Sequence, residues 1–173
     1  DPEAKLAAAQ FAQANTMTAR LAALRCLLHF QAPGAGAALA AFQEQYRRDP
    51  LVTDKWIALV ATRPHPDALA DVEDLMASGW WKATNPNRVR AVLGSFARSN
   101  PLAFHRRDGA GYRLVAGQVA ALDAINPQVA ARLLGAFESW RRWSAPHRGP
   151  AGEALAALEG KLASPDGRDL LER

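Results

Sequence analysis

A chain of 173 residues, 49% of them hydrophobic, is long enough to bury one sizeable core. No apolar run in it approaches the ~20 residues of a membrane span. A formal charge of +4 makes it only mildly basic, and the one cysteine, Cys26, excludes an intramolecular disulfide and suits a reducing, cytoplasmic setting.

The elements in chain order are all helical. Ala and Leu, the strongest helix formers, dominate, and no alternating strand pattern of useful length occurs. The first helix is expected over Pro2 to Ala14. Thr16 is placed to cap a second, which carries Met17, Leu21, Leu24, Leu27 and Leu28 on one face. Pro33-Gly34-Ala35-Gly36 interrupts it, and a third runs to about Arg47 with Leu39, Phe42 and Tyr46 at helical spacing. Asp49-Pro50 starts the fourth, striped by Val52, Trp56, Leu59 and Val60. Pro64 and Pro66 end it and begin the next, which would bury Leu69, Val72, Leu75 and Met76. Gly79-Trp80-Trp81 reads as a turn.

Three Asn-Pro steps follow, at Asn85-Pro86, Asn100-Pro101 and Asn126-Pro127. Each predicts a helix start: the Asn side chain accepts an orphan N–H of the first turn, and Pro at the next position lacks only an N–H that would be unpaired there. Val89, Val92, Leu93 and Phe96 pattern the first of these helices. Phe104 to Tyr112 forms a connector in which Gly109 and Gly111 supply positive φ and Asp108 accepts backbone N–H groups. Tyr112, Val115, Val119, Leu122 and Ile125 stripe the next helix, and Val129, Leu133, Phe137 and Trp140 the one after. Residues 145–150 read as a loop, followed by a helix over about 152–162 and a short one near Arg168. Between Asn85 and Trp143 lie nine arginines, no lysine and three acids, Asp108, Asp123 and Glu138, so the positive charge is concentrated there. Roughly ten helices with short connections and no exact repeat point to an all-α fold, an irregular superhelix (solenoid) of antiparallel helix pairs.

Several motifs together resemble the C-terminal helical domain of bacterial aminopeptidase N, a zinc aminopeptidase of the gluzincin type. They are Asp49-Pro50-Leu51-Val52 with Asp54-Lys55-Trp56, Asn85-Pro86-Asn87-Arg88-Val89-Arg90, Phe104-His105 with Asp108-Gly109-x-Gly111-Tyr112, and Asn126-Pro127-Gln128-Val129-Ala130-x-Arg132-Leu133. The resemblance covers about residues 15–143, and the sequence departs from the family's pattern after Trp143. It implies an ARM/HEAT-like superhelix capping a catalytic domain absent from this chain, with residues 1–173 forming one domain. Its partners would be that upstream domain and peptide substrates, with no membrane or nucleic-acid partner.

The chemistry implied for the parent enzyme is hydrolytic removal of N-terminal residues by zinc-bound water, with a Glu general base. The His-Glu-x-x-His motif that supports it is not in these residues. Cys26 and His29, at i,i+3, are two ligands and fall short of a zinc site; they read as a buried cysteine on an apolar face with a histidine nearby. This chain is therefore expected to hold no catalytic residue, metal or cofactor of its own. Gln128 and Arg132 share one helix face at i,i+4. From sequence alone that face is an ordinary solvated one. The resemblance implies instead that Gln128, Arg132 and Arg90 line the cavity leading to the active site. Arginine's fork of donors suits peptide carbonyls and carboxylates. Trp80, Trp81 and Trp143 are candidates for contact with the upstream domain, whereas Trp56 and Trp140 read as core. The alternative is a stand-alone α-solenoid interaction module binding acidic protein or RNA.

Overall fold

The computed structural model describes residues 2–65 and 67–172. The helix start expected at Pro66 lies outside them. All regular structure among the described residues is helical: twelve α-helical segments, one π turn and two 3₁₀ turns. They pack as an irregular succession of neighbours, α1 (Pro2–Gln13) on α2 (Met17–His29), α2 on α3 (Ala35–Tyr46), α3 on α4 (Pro50–Ala61), and α4 on α5 (Ala68–Ala77).

The caps explain where these helices begin. Thr16 Oγ1 accepts the Ala19 amide at 3.2 Å, and Asp49 Oδ1 accepts Leu51 at 2.9 Å and Val52 at 3.1 Å. The buried faces follow the expected stripes on α2 to α4, with Leu24, Leu27 and Leu28, then Leu39 and Phe42, then Val52, Trp56, Leu59 and Val60; on α5 Val72 and Leu75 are buried, while Leu69 and Met76, expected buried, are only partly so. Cys26 is exposed, correcting the expectation of a buried thiol. Two residues past the fully buried Leu24, it is turned about 200° around the helix, away from the stripe.

All three Asn-Pro steps start helices. Asn85 Oδ1 accepts Asn87 and Arg88 amides at 3.0 and 3.3 Å and opens α6 (Pro86–Val89). A π turn, Arg90–Gly94, then leads into α7 (Ser95–Ser99). Asn100 opens the single turn α8 (Pro101–Phe104), accepting Ala103 N–H at 3.3 Å. It is only 2% exposed, and its amide also donates to the carbonyls of Ala61 at 3.1 Å and Arg63 at 3.0 Å at the C-terminal end of α4. One side chain thus satisfies orphan groups of two helix ends. Arg88, 8% exposed, lies 3.2 Å from Asp54, so the Asp-Lys-Trp and Asn-Pro-Asn-Arg motifs meet as an ion pair between α4 and α6.

The connector to α9 (Ala110–Asp123) is built as expected around Gly109 and Asp108, and differently at Gly111. Gly109 has φ +69°, and Asp108 accepts the Ala110 amide at 3.1 Å. Hydrogen bonds from Arg106 and then from Ala110 hold the exposed Asp108 carboxyl down at about 2. Gly111 has no positive φ; it is needed for close approach, since a Cβ there would sit 2.5 Å from the carbonyl oxygen of Phe104. Tyr112, Val115, Val119 and Leu122 are buried, but Ile125 has left the helix and is 48% exposed.

Asn126 accepts Val129 N–H at 3.2 Å and opens α10 (Pro127–Leu134), which continues through 3₁₀ turns at Gly135–Phe137 and Trp140–Arg142. Residues 145–150 are not a loop. They form the first half of α11 (Ala145–Ala156), with Pro150 inside it. Pro146 in the first turn favours the helix, and Gly149-Pro150 misled the reading because proline's lost bond is one among many in a packed helix. The last helix, α12 (Pro165–Glu172), packs on α10. Its start is held by Asp123, 3% exposed, whose Oδ2 accepts Ala163 N–H at 2.7 Å and Ser164 N–H at 2.9 Å while Oδ1 accepts the Ser164 hydroxyl. Burial works against that carboxylate, but the Ser164 hydroxyl and the two amides bring its pKa below the ordinary value.

Candidate functional site

Two helical stretches that start with Asn-Pro face each other across a groove of about 560 Å³. One wall is the run α6–π turn–α7, contributing Pro86, Arg90, Ser95 and Arg98; the other is α10, contributing Val129, Arg132 and Leu133. The π turn is closed by the Ser95 amide donating to the carbonyl of Arg90, five residues back, and the Ser95 hydroxyl donates to the same carbonyl at 3.3 Å. On the other wall, Ala130, Leu133 and Leu134 turn inward, leaving Arg132 outward.

The groove gathers guanidinium groups. Arg90 Nη2 donates to Asn87 Oδ1 at 3.0 Å, which steadies it against its own wall and leaves the rest of its fork unused by that bond. Arg98 Nη2 donates across to the backbone carbonyl of Arg132 at 2.9 Å. That carbonyl lies in the last turn of α10, where the helix offers it no partner, so Arg98 both caps α10 and ties the two walls together. Arg90, Arg98 and Arg132 are all exposed.

Of the three expected cavity residues, the structure brings Arg90 and Arg132 together from different elements. Gln128 is exposed in the first turn of α10 and does not line the groove. Arg98 was missed. No local pattern marks it, since its place on the groove depends on the π turn and on a bond across to α10.

A second cluster surrounds the α8–α9 connector. The Tyr112 hydroxyl lies 2.8 Å from His105 Nδ1, and Trp143 stacks on Tyr112 with ring centroids 5.6 Å apart. His105 thus packs and bonds locally. Its pKa is lowered by burial and then by His147, whose ring centroid is 6.1 Å away. Trp143 is therefore part of this cluster, and Trp80 lies 5.8 Å from Trp56. Trp80, Trp81 and Trp143 are all packed, half-buried, against the chain's own core; Trp140 is likewise half-buried rather than core. The exposed large apolar residues are Leu6, Phe30, Leu51, Leu102 and Ile125. Among the described residues no three His, Cys, Asp or Glu side chains converge to hold a metal ion, so these residues do not fit a zinc centre. Nor is any helix among them long and apolar enough to cross a membrane.

The fold and the arginine groove define the chain as an irregular, ARM-type helical superhelix domain. Residues 1–173 match the family model described as "Domain of unknown function (DUF3458_C) ARM repeats". The chain belongs to this family, the C-terminal helical domain of aminopeptidase N. It is 37% identical over 155 residues to aminopeptidase N of Escherichia coli, covering 90% of this chain and 18% of that protein. It is 39% identical over 133 residues to aminopeptidase N of Caulobacter vibrioides, covering 77% of this chain and 15% of that protein. The solved structure of Legionella pneumophila aminopeptidase A in complex with aspartic acid superposes with a TM-score of 0.89 at 32% identity, covering 98% of this chain and 20% of that one. That likeness runs well beyond Trp143, where the sequence resemblance had thinned. The chain spans less than a fifth of the length of the curated relatives.

Proposed function

We propose that this chain is the helical cap of a zinc-dependent aminopeptidase that removes N-terminal residues from peptides, and that its arginine groove walls the substrate cavity. The relatives' names support the enzyme class. The observation that carries the cavity reading is the meeting of Arg90 and Arg132, from two separate helical stretches, on one groove of about 560 Å³. Zinc and the residues that act on the scissile bond belong, on this reading, to the rest of the polypeptide. A cytoplasmic location goes with it, supported by a lone cysteine, Cys26. The rival, an α-solenoid module for acidic protein or RNA, rests on the arginine excess alone.

The residues here would bind and orient. A peptide reaching past the cleaved bond presents carbonyls and a terminal carboxylate, acceptors that the forks of Arg90 and Arg132 match. Gln128, one turn before Arg132, lies outside the groove's lining and takes no part in these contacts. Because these contacts are remote from the reacting carbonyl, they are expected to act on KM more than on kcat.

The test is steady-state kinetics of the parent polypeptide and its Arg132→Ala variant. Peptides of two to five residues should lose several-fold in KM, about 1 kcal/mol after allowing for a wet groove, while an amino-acid arylamide changes less. Arg132→Lys should rescue only in part, because an ammonium lacks the planar fork. Unchanged kinetics on every substrate would return Arg132 to an ordinary solvated face.

A further inference from the structure

The groove does not end at Arg98. Arg98 and Arg132 also border a second compartment of about 240 Å³, set between α10 with its 3₁₀ extension and the last two helices. Leu134, Phe137 and Leu155, each under a tenth exposed, back it, half-buried Leu170 and Leu171 of α12 close one side, and Glu138 and Arg141 also border it. The arginines therefore stand at a divide between the first groove and a compartment backed by apolar side chains. The bond from Arg98 to the Arg132 carbonyl, 2.9 Å long, spans that divide.

Gly135 lies at the same place. It borders the second compartment and has φ −57°, so any residue fits its backbone; an added Cβ would meet only Arg98 Nη2, at 3.8 Å. The space next to Gly135 is thus open.

We propose that the second compartment is a distal subsite of the substrate cavity, taking a bulky apolar side chain of a peptide several residues past the cleaved bond. Arg98 and Arg132 hold the peptide's carbonyls at the divide. This rests on the reading of the Arg90–Arg132 groove as substrate cavity. It names the substrate class within it: peptides with an apolar residue at one fixed distance from the N-terminus. Polar donors at the divide orient the backbone, and apolar walls beyond select the side chain, which is the usual division of labour in a ligand pocket. Arg98 acts here as a positioning residue.

The experiment uses the parent polypeptide and peptides of three to eight residues in which the last residue is Leu or Asp. At one length the Leu peptide should exceed the Asp peptide in kcat/KM by roughly five- to tenfold, through KM. Gly135→Leu, which fills the compartment with a side chain, should bring that ratio to about one. A ratio that stays flat with length in the wild type, or one that survives Gly135→Leu, overturns the proposal. A second measurement needs no variant: a non-hydrolysable peptide ending in a photoreactive leucine should crosslink to the segments bearing Phe137, Leu170 and Leu171. Crosslinks confined to residues 86–99, or lying outside this chain, overturn it. The parent reading fails separately. If Arg132→Ala leaves every peptide unchanged, the groove itself is not in the substrate's path; if Arg132→Ala costs KM but the Leu/Asp ratio is flat, only the second compartment falls.

Discussion

His105 shows how one side chain links packing to pH. It stands against Tyr112, Trp143 and His147, with its Nδ1 2.8 Å from the Tyr112 hydroxyl. Burial, reinforced by His147, lowers its pKa, so the folded chain prefers the neutral ring. The unfolded chain takes up the proton near the ordinary 6.5, the folded chain only at lower pH. The stability this residue contributes is therefore present above 6.5 and is lost as pH falls from there through the folded value. Urea unfolding at pH 7.5 and pH 5 should show that loss, and His105→Phe should flatten it. Tyr112, fully buried, is pushed up to about 12 by the same desolvation and stays a neutral donor or acceptor throughout. An unchanged slope in His105→Phe would mean that other groups carry the pH dependence.

At the scale of elements, the three Asn-Pro steps look alike in sequence and differ in what they hold. Asn85 and Asn126 cap their own helices. Asn100 also donates two bonds to the carbonyls of Ala61 and Arg63 from a buried position. Asn100→Asp replaces that donor with an acceptor facing two carbonyls, so it should cost more than about 2 kcal/mol. Asn85→Asp keeps an acceptor for the first-turn amides and should change stability by less than about 0.5 kcal/mol. Chemical denaturation of both variants checks the contrast; equal losses would remove the special role of Asn100. The caps were legible in the sequence because a cap needs only its own next three residues. The double duty of Asn100 was not, because its partners are about 40 positions away. The helix through Pro150 was missed for a related reason. A proline reads locally as a breaker, while Ala151, Ala154 and Leu155 beyond it are buried and hold the helix together. Arg90 and Arg132 were legible only through the family resemblance, and Arg98 through nothing local.

At the scale of the whole molecule, the C-terminal segment is tied back to α9 and α10. α12 packs on α10, and Asp123 at the end of α9 accepts three bonds from Ala163 and Ser164. The segment from Ala163 onward thus supports the helix that carries Arg132. Removing residues 163–173 from the parent polypeptide should lower stability and weaken peptides more than amino-acid arylamides, since α10 loses the partner along one side. Thermal unfolding beside the two substrate classes makes the measurement. Equal loss on both classes would mean that α12 serves stability alone.

The π turn at Arg90–Gly94 has a consequence for phase. Eight residues of unbroken α-helix separate two side chains by about 80° around the axis, at about 100° per residue. One wider turn between them absorbs most of that offset, in effect a residue added to the helix and hidden in its pitch. Arg90 and Arg98 can both border the groove for that reason. The spacing of arginines along this stretch therefore carries meaning only together with the turn that resets it. Losing a single residue from 91 to 94 would keep every arginine and close the wide turn to an ordinary one, leaving Arg98 seven residues on and still within about 20° of Arg90.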